Sequence, residues 1–225
     1  MREGFAVSEF DRAINGLRVI SHDEAAAYDQ RDKRAAIGEQ TKDFRAALPF
    51  GQFAHFRRGL WRAEVKHERL IAFAEGYEPS RGNVLIVGKS GVGKTTVVAA
   101  AAHRLLGEAF AALDTSAPIL NATWLSAPAF ARARRETRLG AQNHLLEQAI
   151  AASLLILDEL GGESSHDAGW LNEIADERYK ARRPTLTTSG FDLAALSARY
   201  GAGCTRRLVE PVGVVLDVFE APGGK

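Results

Sequence analysis

The sequence predicts an α/β fold built on a parallel sheet, and three observations carry that prediction. From Asn83 onward, short apolar runs of strand length alternate with segments of helix length. A glycine-rich turn at residues 88–95 joins the first of those runs to a helix. A later run, Leu154-Leu155-Ile156-Leu157, ends in two carboxylates, Asp158 and Glu159. Composition agrees. Of 225 residues, 46% are hydrophobic and 25% charged, which excludes collagen-like, fibrous and fully disordered chains. The length allows one full domain with at most a small extension.

Residues 1–47 read as loosely packed helices or a partly ordered arm, or equally as extra helices on the main domain, with charge and alanine but no strong apolar stripe from Asp23 to Arg34. Pro49 breaks the chain by disfavouring helix at Leu48, and residues 48–225 form the core. Within it, residues 53–75 place Phe53, Phe56, Leu60, Trp61, Val65, Leu70 and Phe73 at helical spacing. Residues 78–82 form a turn. Val84-Leu85-Ile86-Val87 is a strand buried on both faces, followed by a helix over 94–106. A second strand is expected at 118–123 and a helix at 130–151 with a break near Gly140. A third strand covers 154–157, a helix 168–182 and a fourth strand 185–188. Short helices at 193–200 and 205–209 precede a last strand at 214–219. Such alternation calls for parallel strands with right-handed crossovers.

Charge and cysteine content narrow the function. Lys and Arg number 29 against 28 Asp and Glu, a net charge of +1, so nucleic-acid binding would need a local patch. The lone cysteine, Cys204, cannot pair within the chain and fits a reducing cytoplasm. The six histidines show no metal-ligand spacing, which argues against zinc. No apolar stretch approaches the ~20 residues of a membrane span, and the N-terminus shows no signal core.

Gly88-Lys89-Ser90-Gly91-Val92-Gly93-Lys94-Thr95 satisfies the pattern G-x-x-x-x-G-K-[ST]. Its glycines let backbone N–H groups curl around an anion, and the following helix adds its positive end. Lys94 is expected to reach the β- and γ-phosphates and the Thr95 hydroxyl to ligate Mg²⁺, with Thr96 beside it. All nine residues from Gly88 to Thr96 are candidate nucleotide contacts. About 65 residues later, an acid at the end of a buried strand would sit at the carboxyl edge of the sheet, where α/β proteins bind ligands. Asp158 is therefore expected in the Mg²⁺ shell. Glu159 is expected to polarise water for attack on the γ-phosphate, which favours hydrolysis over transfer to a metabolite.

With both motifs placed, the chain resembles the AAA+ ATPases of the DnaC helicase-loader and IstB-like group over residues 50–219. Asp158-Glu159-Leu160-Gly161 resembles the acidic motif of that family. Residues 173–179, ending in Arg178-Tyr179, resemble its following helix. Arg183-Pro184-Thr185-Leu186-Thr187-Thr188-Ser189 resembles its next strand, and residues 193–208, with Arg199-Tyr200-Gly201 and an arginine before Leu208, resemble its closing helices.

The resemblance implies an α/β P-loop NTPase fold, a three-layer sandwich with a five-stranded parallel sheet and no C-terminal helical lid. The acidic-motif strand and the 185–188 strand would lie close together, with Thr188 or Ser189 as a polar sensor near the γ-phosphate. Gly190 stands where the family has asparagine, which implies slow hydrolysis unless Thr188 or Ser189 substitutes. Arg207, with Arg206 as fallback, would act as an arginine finger on the nucleotide of a neighbouring subunit, which requires a homo-oligomer. Phe50 and Phe53 would border the adenine.

Arg132, Arg134, Arg135 and Arg138 concentrate positive charge where related loaders face single-stranded DNA, and could track phosphates without reading sequence. Three functions follow from the resemblance: an ATP-dependent loader acting on a replicative helicase, an IstB-type helper acting with a transposase on duplex DNA, and a nucleotide-gated adaptor with little hydrolysis. The short chain and alanine-rich arm favour the loader.

Overall fold

The computed structural model describes residues 22–47, 59–112, 121–136, 143–164, 169–210 and 213–219. Five strands form one parallel sheet: β1 (Val84–Val87), β2 (Ala122–Ser126), β3 (Leu154–Leu160), β4 (Thr185–Ser189) and β5 (Val214–Asp217). Their order is β2-β3-β4-β1-β5, so β1 sits between β4 and β5. The acidic strand β3 pairs directly with β4, as expected.

Alternation along each strand splits the core in two. Val84, Ile86, Leu154, Ile156 and Leu186 face one layer, covered by α2 (Glu68–Gly76) and α3 (Lys94–Ala112). Leu85, Val87, Leu155 and Leu157 face the other. There they meet α4 (Ala127–Glu136), α5 (His144–Ala151), α6 (Trp170–Lys180), α7 (Leu193–Tyr200) and α8 (Ala202–Val209). Strands buried on both faces read as unbroken apolar runs, which is why β1 and β3 stand out in the sequence.

Several elements differ from expectation: α3 runs on to Ala112, past the expected 94–106, and α8 starts at Ala202 rather than 205. The second strand lies at Ala122–Ser126 rather than 118–123, because its register follows β3 from Leu154 to Asp158 and carries Trp124 and Ser126 into the sheet. The 130–151 stretch is divided, as expected, into α4 and α5, with α4 starting earlier, at Ala127, and Gly140 outside the described residues; Asn143 caps α5, its side chain accepting the Leu146 N–H. The 53–75 helix is interrupted. Residues 60–64 form a 3₁₀ turn, Val65 is extended, and α2 starts only at Glu68. The interruption lets Lys66 N–H bond the Val92 carbonyl and seats Val65 on the glycine-rich turn. Finally, β3 continues three residues past Leu157 and carries both carboxylates within the strand.

Ahead of the sheet, α1 (His22–Ala47) is a 26-residue helix whose described side chains are mostly exposed, and it runs beside α3 and the edge strand β2. Among the described residues, no helix is long and apolar enough to cross a membrane.

Candidate functional site

The glycine-rich turn leaves the carboxyl end of β1 and opens α3 at Lys94. Gly93 has φ +98, and a Cβ there would come within 3.0 Å of Val65 Cγ2. Glycine therefore meets both a backbone and a space requirement at this position. Lys94 folds back over the turn, donating from Nζ to the carbonyls of Gly88 (2.7 Å) and Lys89 (2.8 Å). Partial burial lowers its pKa, opposed by the nearby charge of Asp158.

Asp158 joins the turn to the sheet. Thr95 Oγ1, in the first turn of α3, donates to Asp158 Oδ1 at 2.9 Å. Thr188 Oγ1, on β4, donates to the same oxygen at 2.5 Å. The carboxylate is 3% exposed. Burial raises its pKa, the two hydroxyls pull it down, and the charge of Glu159 adds to the rise. Thr188 also accepts the Glu159 backbone N–H at 3.1 Å, so one hydroxyl holds both acidic residues.

Glu159 itself is exposed and has φ +58, a left-handed conformation that costs a non-glycine residue about 1–3 kcal/mol and persists only when the surroundings impose it. The cause is a shift in the β3–β4 register between Leu157 and Leu160, which turns Glu159 out of the ladder. Gly162 N–H closes onto the Glu159 carbonyl at 2.9 Å. Gly161, at φ +97, lies against the edge of the Phe191 ring, where a Cβ would come within 2.2 Å of Cδ2.

These residues border a cleft of about 630 Å³. Ser90, Gly91, Gly93, Lys94, Thr95 and Thr96 form one wall; Glu159, Thr188, Ser189 and Gly190 form another. Of the two hydroxyls expected as sensor, Thr188 is the one directed at the Asp158 carboxylate. Ser189 is fully buried, donates to the Leu160 carbonyl at 2.7 Å and accepts the Phe191 N–H at 3.0 Å, so its hydroxyl braces the turn instead. Val92 turns inward, packing against the core beside α2 and α3.

A hydroxyl and a carboxylate in contact at a helix start form an all-oxygen donor pair, the kind Mg²⁺ takes when phosphates and water complete its shell. Thr95 and Asp158 therefore fit that metal, and an ion there would offset the burial that raises the Asp158 pKa.

Arg207 lies elsewhere. Its carbonyl and that of Glu210 accept from Asn83 Nδ2 at 2.9 and 2.8 Å, at the amino end of β1. The glycine-rich turn follows the opposite end of that strand, about 16 Å away at ~3.3 Å per residue. Arg207 Nε pairs with Asp176 on α6 at 2.9 Å, while Arg206 pairs with Glu210 at 2.7 Å. Neither arginine serves the cleft of its own chain. Arg132, Arg134 and Arg135 are exposed on α4, whereas Arg138, Phe50 and Phe53 lie outside the described residues.

No family model and no curated protein matches the sequence. Solved structures do match the fold. The chain is similar to DnaI, with 22% identity and a TM-score of 0.52 over 67% of this chain and 81% of that one. It is similar to the DnaC helicase loader, with 20% identity and a TM-score of 0.50 over 67% and 86%. A third likeness is to the replication initiator DnaA bound to AMPPCP and single-stranded DNA, with 19% identity and a TM-score of 0.50 over 67% and 44%. The fold is that of the AAA+ P-loop proteins. Within this AAA+ fold the cleft occupies the carboxyl edge of the sheet.

Sequence reasoning missed two parts of the site. The contact of the Phe191 ring edge with Gly161 joins residues 30 apart and leaves no local pattern. Glu163 lies four residues beyond Glu159, where its side chain is completely enclosed and meets Arg199 and Tyr200. The Arg199-Tyr200 pair stands out in the sequence, but nothing there pairs it with Glu163.

Proposed function

We propose that the chain binds ATP with Mg²⁺ and hydrolyses it slowly to ADP and phosphate, as a helicase loader of the DnaC kind. The observation that carries this reading is the convergence of Thr95 and Thr188 on Asp158 beside Lys94, with Glu159 turned into the cleft.

In this reading Lys94 exchanges the Gly88 and Lys89 carbonyls for the β- and γ-phosphates, whose negative charge compensates its partial burial. Thr95 and Asp158 would hold Mg²⁺, which when bound supplies charge neutralisation at the phosphates. Glu159 accepts a proton from water as the water oxygen bonds to the γ-phosphorus. The bridging P–O bond breaks, and its electron pair leaves with ADP. Thr188 fixes the Asp158 carboxylate and the Glu159 backbone, and with Gly190 contributing no side chain it is the polar group left to sense the γ-phosphate.

The shared fold with DnaI and the DnaC helicase loader supports a replicative helicase as partner. The DnaA structure bound to AMPPCP and single-stranded DNA supports nucleotide and single-stranded DNA as ligands. The exposed Arg132, Arg134 and Arg135 on α4 are the candidate DNA contacts. Residues 1–47 are the candidate helicase-docking arm.

Calorimetric titration with Mg-ATP tests the site. Lys94→Ala should weaken binding about tenfold or more, because a charge-assisted contact contributes ~1.5–3 kcal/mol. Glu159→Gln should bind ATP at parent affinity and stop turnover. Unchanged affinity in the lysine variant rejects the reading. Gel filtration of the ATP-bound chain with the replicative helicase of its host, with and without a single-stranded oligonucleotide, tests the partner; failure to co-elute in either condition rejects the loader.

A further inference from the structure

We propose that Glu163 is a positioning residue for Glu159, anchored by Arg199 and Tyr200. The inference rests on the hydrolytic role of Glu159 given above.

The Glu163 side chain has no exposed surface. A carboxylate without water persists only where charges and hydrogen bonds replace it. Here Tyr200 O–H donates to Oε1, the Gly161 N–H donates to Oε2 at 3.1 Å, and Arg199 Nη2 stands 3.6 Å from Oε1. Arg199 also donates from Nη2 to the Glu163 carbonyl and from Nε to the Tyr200 oxygen at 3.2 Å. Both oxygens are thus satisfied, by a backbone amide on one side and by α7 on the other.

That amide is the important partner. Gly161 lies two residues past Glu159, in the turn that holds Glu159 at φ +58. Four bonds fix the turn: Glu159 N–H to Thr188 Oγ1, Gly162 N–H to the Glu159 carbonyl, Ser189 Oγ to the Leu160 carbonyl, and Gly161 N–H to Glu163. The Glu163 bond is the charge-assisted one of the four. Arg199 also stands 6.0 Å from the centre of the Phe191 ring that lies on Gly161. Arg199 and Tyr200 end α7, and after Gly201 the chain enters α8 with Arg206 and Arg207. The same contacts therefore tie the Glu159 turn to the helix that carries the candidate finger. Loss of the tie lets the turn relax toward ordinary φ, which withdraws the Glu159 carboxylate from the water it must deprotonate. The contacts of Lys94, Thr95 and Asp158 stay in place.

The test compares the full chain with Glu163→Gln and Tyr200→Phe. Three quantities are measured: ATP affinity by calorimetry, phosphate release at saturating Mg-ATP, and thermal melting. The expected result is a kcat lowered about tenfold or more in both variants, with ATP affinity within about twofold of the parent. Tyr200→Phe removes one oxygen and keeps the ring, so it remains readable if Glu163→Gln folds poorly. Parent kcat in both variants of an active chain overturns the role of Glu163 alone. So does a parallel loss of affinity, kcat and melting temperature, which marks a purely structural contact. A parent that binds ATP and releases no phosphate overturns instead the hydrolytic reading of Glu159, and this inference with it.

Discussion

Thr188 on β4 donates to Asp158 on β3 at 2.5 Å, across the pair of strands that forms the floor of the cleft. The same oxygen accepts the Glu159 N–H, so a single hydroxyl sets the carboxylate proposed for the metal and the backbone of the proposed base.

Thr188→Val should therefore lower kcat while leaving the fold nearly unchanged in shape. It removes two hydrogen bonds, each contributing about 1 kcal/mol, with the bond to a carboxylate contributing more. A decrease of about tenfold or more in phosphate release is expected, with ATP affinity reduced less. Thr188→Ser keeps the hydroxyl and should restore most of the rate. A valine variant as fast as the parent would leave Thr188 with no part in turnover.

The strands and the glycine-rich turn are legible in the sequence because each is written locally. Val84-Leu85-Ile86-Val87 and Leu154-Leu155-Ile156-Leu157 are apolar on both faces, and residues 88–95 carry their own glycines. Relations that depend on register are not legible. The one-residue shift that turns Glu159 outward exists only once β3 is paired with β4. The break at Val65 likewise follows from contact with Val92 and Gly93, since the apolar spacing of residues 53–75 continues through it. The second strand was displaced because Thr123-Trp124-Leu125 lacks the unbroken apolar run of a central strand, β2 being the sheet edge.

Asp158 should trade stability for function in a pH-dependent way. Its folded pKa is raised above 3.8, chiefly by burial. A carboxyl with a raised folded pKa binds more protons folded than unfolded between those two values, so stability falls as pH rises through that window. Above the window the full burial cost remains. Asp158→Asn keeps an oxygen to accept from Thr95 and Thr188 but carries no charge. Without nucleotide it should melt higher than the parent at pH 7, by ~2–4 °C per kcal/mol relieved in a chain of this size. The gap should shrink as pH is lowered toward 3.8. The same variant should lose Mg²⁺-dependent ATP binding. A lower melting temperature at pH 7, read by calorimetry, would contradict the burial argument.

Arg178 makes a separate prediction about the frame beneath the site. It is 2% exposed, and burial together with the charge of Arg183 lowers its pKa to about 9. Its guanidinium donates to the carbonyls of Ala149, Ala152 and Pro184 at 2.8, 2.7 and 2.6 Å, and to Thr185 Oγ1 at 2.9 Å. It thereby caps the carboxyl end of α5, where a positive charge is favoured, and fixes the start of β4. Arg178→Met keeps apolar bulk but leaves those carbonyls without their donor, at about 1–3 kcal/mol each. Urea unfolding should show a loss of about 3–5 kcal/mol. A loss below ~1 kcal/mol would mean that water replaces the guanidinium.

Arg207 gives the prediction on assembly. Its carbonyl is held by Asn83 at the amino end of β1, and the turn bearing Lys94 follows the carboxyl end, so an arginine acting on a phosphate must act on a neighbour's. Its present partner does not prevent this. The Arg207–Asp176 pair leaves about a third of each side chain exposed, at 31% and 35%. Pairs so placed are screened by solvent and weak, weaker than a guanidinium on a desolvated phosphate. Asp176 keeps Lys180 at 2.8 Å when Arg207 departs. Specific ATPase activity should then rise with protein concentration, because each cleft needs a neighbour. Arg207→Ala and Lys94→Ala chains should each turn over poorly. A mixture should recover part of the activity, since the first supplies an intact cleft and the second an intact arginine. Arg206→Ala, which breaks the pair with Glu210, should change the rate less. Activity per chain that stays constant on dilution, with no recovery on mixing, would return Arg207 to a surface partner of Asp176.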